Sequence, residues 1–324
     1  MNSINWGIIG CGDVTELKSG PAFNKVPGSA LVAVMRRNAD KAADYAMRHN
    51  VPRWYHDAND LINDPEVNAI YIATPPDSHE QYTLAAINAG KPVYVEKPMA
   101  LNYAAAQRMA NAAAEKNVKL VVAHYRREWP LFKKIKELIN EKLIGETRLV
   151  HLQFCRPALT KEELAVEKNA WRVNPAISGG GLFHDLAPHQ LDIIYWLFGN
   201  AKKISGTSTN QNKLYVADDA VTADILFENS VVFNGEWDFT SAENKDNCEI
   251  TGSSGKLSFG FFTGNGIELV INNETTRFDF EPLQHVQQPM IAKVVQYFLG
   301  NAENPCTADE GAEIMRWMDV MTGK

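Results

Sequence analysis

From Ile4 to Ala123, short runs of β-branched and aromatic residues alternate with alanine-rich helical segments, and that alternation leaves few folds open. The spacing predicts strands over Ile4–Ile9, Ala30–Met35, Asn68–Ala73, the stretch around Val93-Tyr94-Val95, and Lys119–Ala123. Helices are predicted over Ala39–His49, His79–Ala89 and Asn102–Lys116. Asp77 and Ser78 suit the amino-terminal cap of the second helix, and Gly90 suits its left-handed stop. Strands and helices in strict alternation mean a doubly wound parallel sheet. Ligands of such sheets bind beyond the carboxyl ends of the strands.

Those strand ends carry unusual residues. The first strand runs into Gly7-Ile8-Ile9-Gly10-Cys11-Gly12-Asp13-Val14. Glycines there let the backbone turn tightly and approach a pyrophosphate seated on a helix amino terminus. Thr15 stands where a strict G-x-G-x-x-G would have its third glycine. The second strand ends in Met35-Arg36-Arg37-Asn38, with no carboxylate before Asp40. A carboxylate there would favour the ribose hydroxyls of NAD, whereas two guanidiniums suit a 2′-phosphate, so NADP is expected ahead of NAD. Thr74-Pro75-Pro76 ends the next strand, and Glu96-Lys97-Pro98 ends the one after it. Pro98 biases Lys97 away from helical angles, which leaves a lysine at the ligand edge on a fixed backbone.

After Gly145 the pattern changes. Val221, Ala223, Ile225 and Phe227 alternate with polar neighbours, and Val231, Phe233, Trp237 and Phe239 do so after a turn at Glu228-Asn229-Ser230. Such alternation marks an antiparallel sheet with one buried face. Further strands are expected near 248–260 and 267–281, and helices over Leu131–Leu143, 287–299 and 307–321. Between these lies Gly179-Gly180-Gly181-Leu182-Phe183-His184-Asp185-Leu186-Ala187-Pro188-His189-Gln190-Leu191-Asp192, a glycine loop entering a helix that runs to about Phe198. Helical spacing puts Asp185, His189 and Asp192 on one face, with His184 pointing away from it, and Leu182, Leu186, Ile193 and Leu197 on a neighbouring apolar face.

A length of 324 residues suggests two domains, expected at 1–123 and 124–324 with the last helices able to pack back on the first. The net charge of −7 argues against a broad nucleic-acid or membrane surface. No apolar run reaches membrane-spanning length, and the first residues lack the basic and apolar regions of a secretory signal. Cys11, Cys155, Cys248 and Cys306 are scattered without a C-x-x-C pair, which fits a reducing, cytoplasmic compartment and no structural zinc.

Taken together, Gly7-Ile8-Ile9-Gly10-Cys11-Gly12, Ala73-Thr74-Pro75-Pro76, Glu96-Lys97-Pro98, and Gly179-Gly180-Gly181 followed by Asp185 and His189 resemble the Gfo/Idh/MocA oxidoreductases. The resemblance implies an α/β chain: an N-terminal Rossmann domain and a C-terminal α/β domain whose large, mostly antiparallel open sheet makes a homodimer or homotetramer. It implies hydride transfer between a nicotinamide cofactor and a sugar, polyol or related diol. Lys97, Asp185 and His189 then take the catalytic positions and, with Tyr125, touch the substrate. Cofactor contacts are expected from Gly10, Gly12, Asp13, Val14, Arg36, Arg37, Thr74, Pro75, Pro76, His79, Glu96, Lys97, Arg126, Trp171 and Arg172. Trp171-Arg172 is similar to a family segment that lines the cleft. Chemically, an imidazole with its ordinary pKa near 6.5 can take the hydroxyl proton, Lys97 can hold the substrate oxygen, and Asp185 can orient His189 or a second hydroxyl. Two other classes compete. One is a metal-dependent sugar isomerase or aldolase-type enzyme with Asp185, His189 and Asp192 as ligands. The other is a cofactor-binding sensor or repressor without catalysis, against which the Lys97–His189 pair counts.

Overall fold

The computed structural model describes residues 2–324, the side chain of residue 168 excepted. Two compact units emerge, one made of the chain up to Arg126 with Leu283–Met315, the other of Arg127–Pro282 with Arg316–Lys324. Among the described residues no helix is long and apolar enough to cross a membrane.

The first unit is a six-stranded, wholly parallel sheet. Its strands are β1 (Ile4–Ile9), β2 (Ser29–Met35), β3 (Arg53–Tyr55), β4 (Ala69–Ile72), β5 (Val93–Val95) and β6 (Leu120–Val122), in the order β3-β2-β1-β4-β5-β6. The order reverses beside β1, so the ligand crevice of such a sheet opens at its carboxyl end. β3 and the helix Ala58–Asn63 lay outside the sequence expectation, because Arg-Trp-Tyr is too short a run to show a period. The predicted helices form at Ala39–Arg48, His79–Asn88 and Tyr103–Glu115, and Gly90 adopts φ +72° just past the second. Ser78 does not cap that helix with its side chain: the segment Pro76–Ser78 winds as a 3₁₀ turn, and the Ser78 hydroxyl donates to Thr74 Oγ1 at 2.8 Å.

Trp6, Tyr71 and Tyr94 stand on one face of this sheet, Tyr71 stacked on Tyr94, with Phe23 and Phe298 tilted against them at ring separations of 4.8–5.5 Å. Phe298 belongs to the helix Gln288–Leu299, which comes from the far end of the chain. That helix covers the aromatic face, and the residue before it, Gln287, reaches below the strand ends. Gln287 Nε2 and the Tyr71 hydroxyl both donate to Glu96 Oε1 at 2.5 Å, while the Lys97 amide donates to Glu96 Oε2 at 3.2 Å. Tyr94 donates to Gln287 Oε1 at 3.2 Å. A buried carboxylate is tolerable only with such donors.

The second unit holds an eight-stranded sheet in which only β7 and β10 pair in parallel. Its strands are β7 (Thr147–Cys155), β8 (Ala201–Thr209), β9 (Ala220–Phe227), β10 (Val232–Asp238), β11 (Lys245–Gly252), β12 (Gly255–Phe259), β13 (Gly266–Ile271) and β14 (Glu274–Asp279), in the order β14-β13-β12-β11-β7-β10-β9-β8. The inner face is a set of alternate residues: Val150, Leu152 and Phe154 on β7, Phe233 and Trp237 on β10, Cys248 and Ile250 on β11. The helix Leu182–Phe198 packs on this face, where Trp237 Nε1 donates to Gln190 Oε1 at 2.6 Å. Its buried stripe is Phe183, Ala187, Leu191, Ile194 and Phe198, spaced by three and four. The stripe expected from sequence is displaced, since Leu182, Leu186 and Leu197 are only half-buried and Ile193 alone is enclosed.

Replacing Gln287 by leucine removes the amide that bridges Glu96 and Tyr94. The expected loss is about 1–3 kcal/mol, the cost of leaving a buried acceptor without its donor. Denaturant unfolding of Gln287→Leu against the parent checks it, and an unchanged midpoint would refute the bridging role.

Candidate active site

β1 delivers the glycine turn. Gly10 sits at φ +95°, and a Cβ there would lie 2.8 Å from the Thr74 amide nitrogen. The ends of β1 and β4 therefore approach so closely that only glycine fits. Gly12 precedes a helix of five residues, Asp13–Leu17, with Asp13 exposed and Val14 half-buried. Thr15 fills the place of the third glycine: its amide and hydroxyl donate to Gly12 O at 2.9 and 2.8 Å, and its own carbonyl accepts from the Tyr45 hydroxyl at 2.8 Å.

Arg36 lies over this turn. Its Nη1 donates to the Cys11 carbonyl at 3.3 Å, and Arg37 beside it is exposed. Burial pushes the Cys11 thiol up to about 11 against the pull of Arg36, so it stays protonated at neutral pH. Thr74 and Pro75 are half-exposed at the end of β4, and Pro76 is buried. His79 is fully enclosed, its ring nitrogens 2.9 Å from Pro98 O and 2.8 Å from Thr74 O. It thus ties the loop after β4 to the loop after β5. Burial lowers its pKa, with the two carbonyls acting the other way. Glu96 is buried in the network of Tyr71 and Gln287, and Lys97, half-buried, follows it and is joined to Pro98 by a cis peptide bond. Tyr125 and Arg126 are buried in the 3₁₀ turn that follows β6, the guanidinium 6.0 Å from the Tyr125 ring.

In the second unit, Asp185 and His189 lie one turn apart on the helix Leu182–Phe198. Arg172 Nε donates to Asp185 Oδ2 at 3.0 Å, and the same guanidinium stacks 4.6 Å over Trp171. His189 is buried, with the edge-on ring of Phe262 at 5.7 Å. Asp192, the third member of the expected face, is engaged elsewhere. Arg127 Nε reaches both of its oxygens at 3.0 and 3.1 Å and Nη2 reaches Oδ1 at 2.6 Å, with both side chains almost wholly enclosed. His184 is fully buried. Its ring packs on the glycine loop, where a Cβ at Gly180 would meet it at 2.2 Å.

Two family models match the chain: an oxidoreductase family with an NAD-binding Rossmann fold over residues 4–124, and the GFO/IDH/MocA C-terminal domain over residues 132–258. The chain belongs to the Gfo/Idh/MocA family. It is 48% identical over 320 residues to Oxidoreductase P35 of Formosa agariphila, covering 99% of this chain and 98% of that one. It is 27% identical over 257 residues to the 1,5-anhydro-D-fructose reductase of Ensifer adhaerens, covering 78% and 74%. Among solved structures, a levoglucosan dehydrogenase in complex with NADH and levoglucosan superposes with a TM-score of 0.86 at 21% identity, over 98% of this chain and 96% of that one, which is a likeness of fold.

As a Gfo/Idh/MocA protein the chain is an NAD(P)-dependent oxidoreductase. The competing metal-enzyme assignment is corrected by the ion pairs. Arg127 neutralises Asp192 and Arg172 neutralises Asp185, so the three residues do not converge as a ligand set, and among the described residues no metal-binding cluster forms. The glycine cradle and Arg36 fit a dinucleotide, since a Cβ at Gly10 would fill the space against Thr74. Sequence reasoning missed Arg127, Gln287 and Phe262, whose partners lie far along the chain.

His184 makes stability pH-dependent. Burial, with Lys324 adding to it, holds its pKa down at about 3. The unfolded chain binds a proton near pH 6.5 that the folded chain refuses until about pH 3. Stability is therefore untouched above about pH 6.5 and falls as pH drops from there toward 3. Unfolding midpoints at pH 7 and pH 4.5 should fall further apart for the parent than for His184→Leu, and an equal drop would refute the buried-neutral assignment.

Proposed function

We propose that this chain oxidises a secondary carbinol of a polyhydroxylated substrate, a sugar or related polyol or diol, or reduces the matching carbonyl, with NADP preferred over NAD. The observation that carries the reading is the arrangement on one helix: Asp185 steadied by Arg172, His189 one turn on, and Asp192 withdrawn by Arg127. Relatives named for dihydrodiol oxidation and anhydrofructose reduction support the substrate class.

When bound, the nicotinamide cofactor supplies the hydride chemistry. The chain supplies binding, orientation and the proton. Gly10, Gly12, Asp13 and Val14 form the turn for the pyrophosphate, with Thr74, Pro75, Pro76, Glu96 and Lys97 alongside, and Arg36 and Arg37 receive the 2′-phosphate. Tyr125, Arg126, Trp171 and Arg172 serve cofactor or substrate. The Lys97 ammonium holds the substrate oxygen. An imidazole nitrogen of His189 accepts the hydroxyl proton as the carbon loses hydride, and returns it in the reducing direction. Asp185 orients the imidazole or a second hydroxyl.

The same reading extends to assembly and place. Leu149 and Val232, paired across β7 and β10, are 38% and 37% exposed on the outer face of the large sheet. They favour pairing with a second copy as a homodimer or homotetramer, and light scattering that returned a monomer would count against it. Four free cysteines fit a cytoplasmic enzyme.

Kinetics test the assignment. Lys97→Met and His189→Ala should each slow single-turnover hydride transfer roughly a hundredfold or more, and in His189→Ala NADPH affinity should stay nearly intact. Arg36→Asp should weaken NADPH more than NADH. Normal turnover in Lys97→Met would overturn the catalytic role, and equal affinity of the parent for both cofactors would overturn the NADP preference.

A further inference from the structure

The inner face of β7 is a row of core residues, Val150, Leu152 and Phe154, and the next position in that row is Arg156. The extended backbone continues that far, since the Arg156 amide donates to Asp238 O at 2.7 Å. A guanidinium thus takes a place where the strand pattern calls for an apolar side chain. Such a placement costs desolvation unless the charge is met.

No carboxylate meets it. Among the described residues Arg156 makes no ion pair and no side-chain hydrogen bond, and it is half-buried. What holds it are two aromatic faces: its Cζ lies 4.8 Å from the Phe154 ring centroid and 5.6 Å from that of Phe262. An acid on the same face is Asp246, paired opposite Phe154 in β11. Asp246 is already committed, accepting from the amides of Phe261, Phe262 and Thr263 at 3.0, 2.6 and 2.6 Å and from the Thr263 hydroxyl at 3.0 Å. Those four bonds fix the turn that carries Phe262. Phe262 in turn stands edge-on to His189. One aromatic ring therefore separates the imidazole from an arginine whose donors are uncommitted.

We propose that Arg156 is a specificity residue that receives a carboxylate on the substrate, so that the preferred substrate is a sugar acid, such as a uronate, rather than a neutral sugar. The proposal rests on the hydride-transfer reading above and narrows its substrate class. Arginine presents a planar fork matched to carboxylate, and stacking on Phe154 and Phe262 pre-orients the fork without using its donors. The ring of Phe262 offers an apolar surface to the carbon skeleton between the two polar ends.

The experiment measures kcat and KM of the full chain with NADP for D-glucuronate against D-glucose and for D-galacturonate against D-galactose. D-Glucose 6-sulfate separates a carboxylate from a sulfate. The expected result is a kcat/KM at least tenfold higher for each uronate than for its hexose. In Arg156→Gln that ratio should fall toward one, chiefly through a higher KM for the uronate, with Arg156→Lys intermediate. A parent ratio near one, a ratio preserved in Arg156→Gln, or a preference for the sulfate would overturn the proposal. If neither sugars nor uronates react, the hydride-transfer reading fails instead. Equilibrium dialysis of labelled glucuronate then decides the anion site by itself: binding by the parent and its loss in Arg156→Gln support the site, and equal or absent binding overturns it.

Discussion

Burying an ionised pair constrains the second unit more than any single apolar contact does. Arg127 and Asp192 lie almost wholly out of water, joined by hydrogen bonds from the guanidinium Nε and Nη2 to the carboxylate. Such a pair adds little over well-packed apolar residues, yet losing one partner typically costs 3–5 kcal/mol because the other charge is stranded. The helix that carries Asp192 also carries Asp185 and His189, so its rotation about its own axis is set where the charges must meet. A turn of one residue would break the pair and bury a lone carboxylate. The pose of Asp185 and His189 follows from that constraint.

The first unit answers the same problem with neutral donors. Glu96 is held by Tyr71, Gln287 and the Lys97 amide, and Gln287 is delivered by a segment that returns from the far end of the chain. The aromatic face formed by Trp6, Tyr71 and Tyr94 supplies the apolar area that brings this segment home. Packing and polar satisfaction thus converge beneath Lys97. His79 adds a second tie by joining the Thr74 and Pro98 loops through their carbonyls.

Much of the frame was legible along the chain because it is periodic or because only one residue type will serve. The long parallel strands, β9 and β10 announced themselves by period, and Gly10 and Gly90 by their backbone needs. Other elements carried no such signal. β8 has Ile204 as its single large apolar residue, because it forms one edge of the sheet and its Gly206 packs under the main chain of Met321. β3 is three residues long. On the helix Leu182–Phe198 the charged residues were found, but its apolar stripe was assigned to leucines that are only half-buried, since a helix apolar on most sides does not state which side is inside.

The sequence by itself determined the alternation of strands and helices, the glycine turn, the lysine at a strand end and the acid–imidazole pair one helical turn apart. Each depends on residues close together in the chain, where period, backbone preference and spacing act directly. Only the tertiary structure decided what those groups are coupled to: Asp192 to Arg127, Asp185 to Arg172, Glu96 to Gln287, and His184 to a buried position against Gly180. Whether a charge is met, buried or left with open donors depends on neighbours brought in from distant segments, and no local pattern encodes which segment arrives.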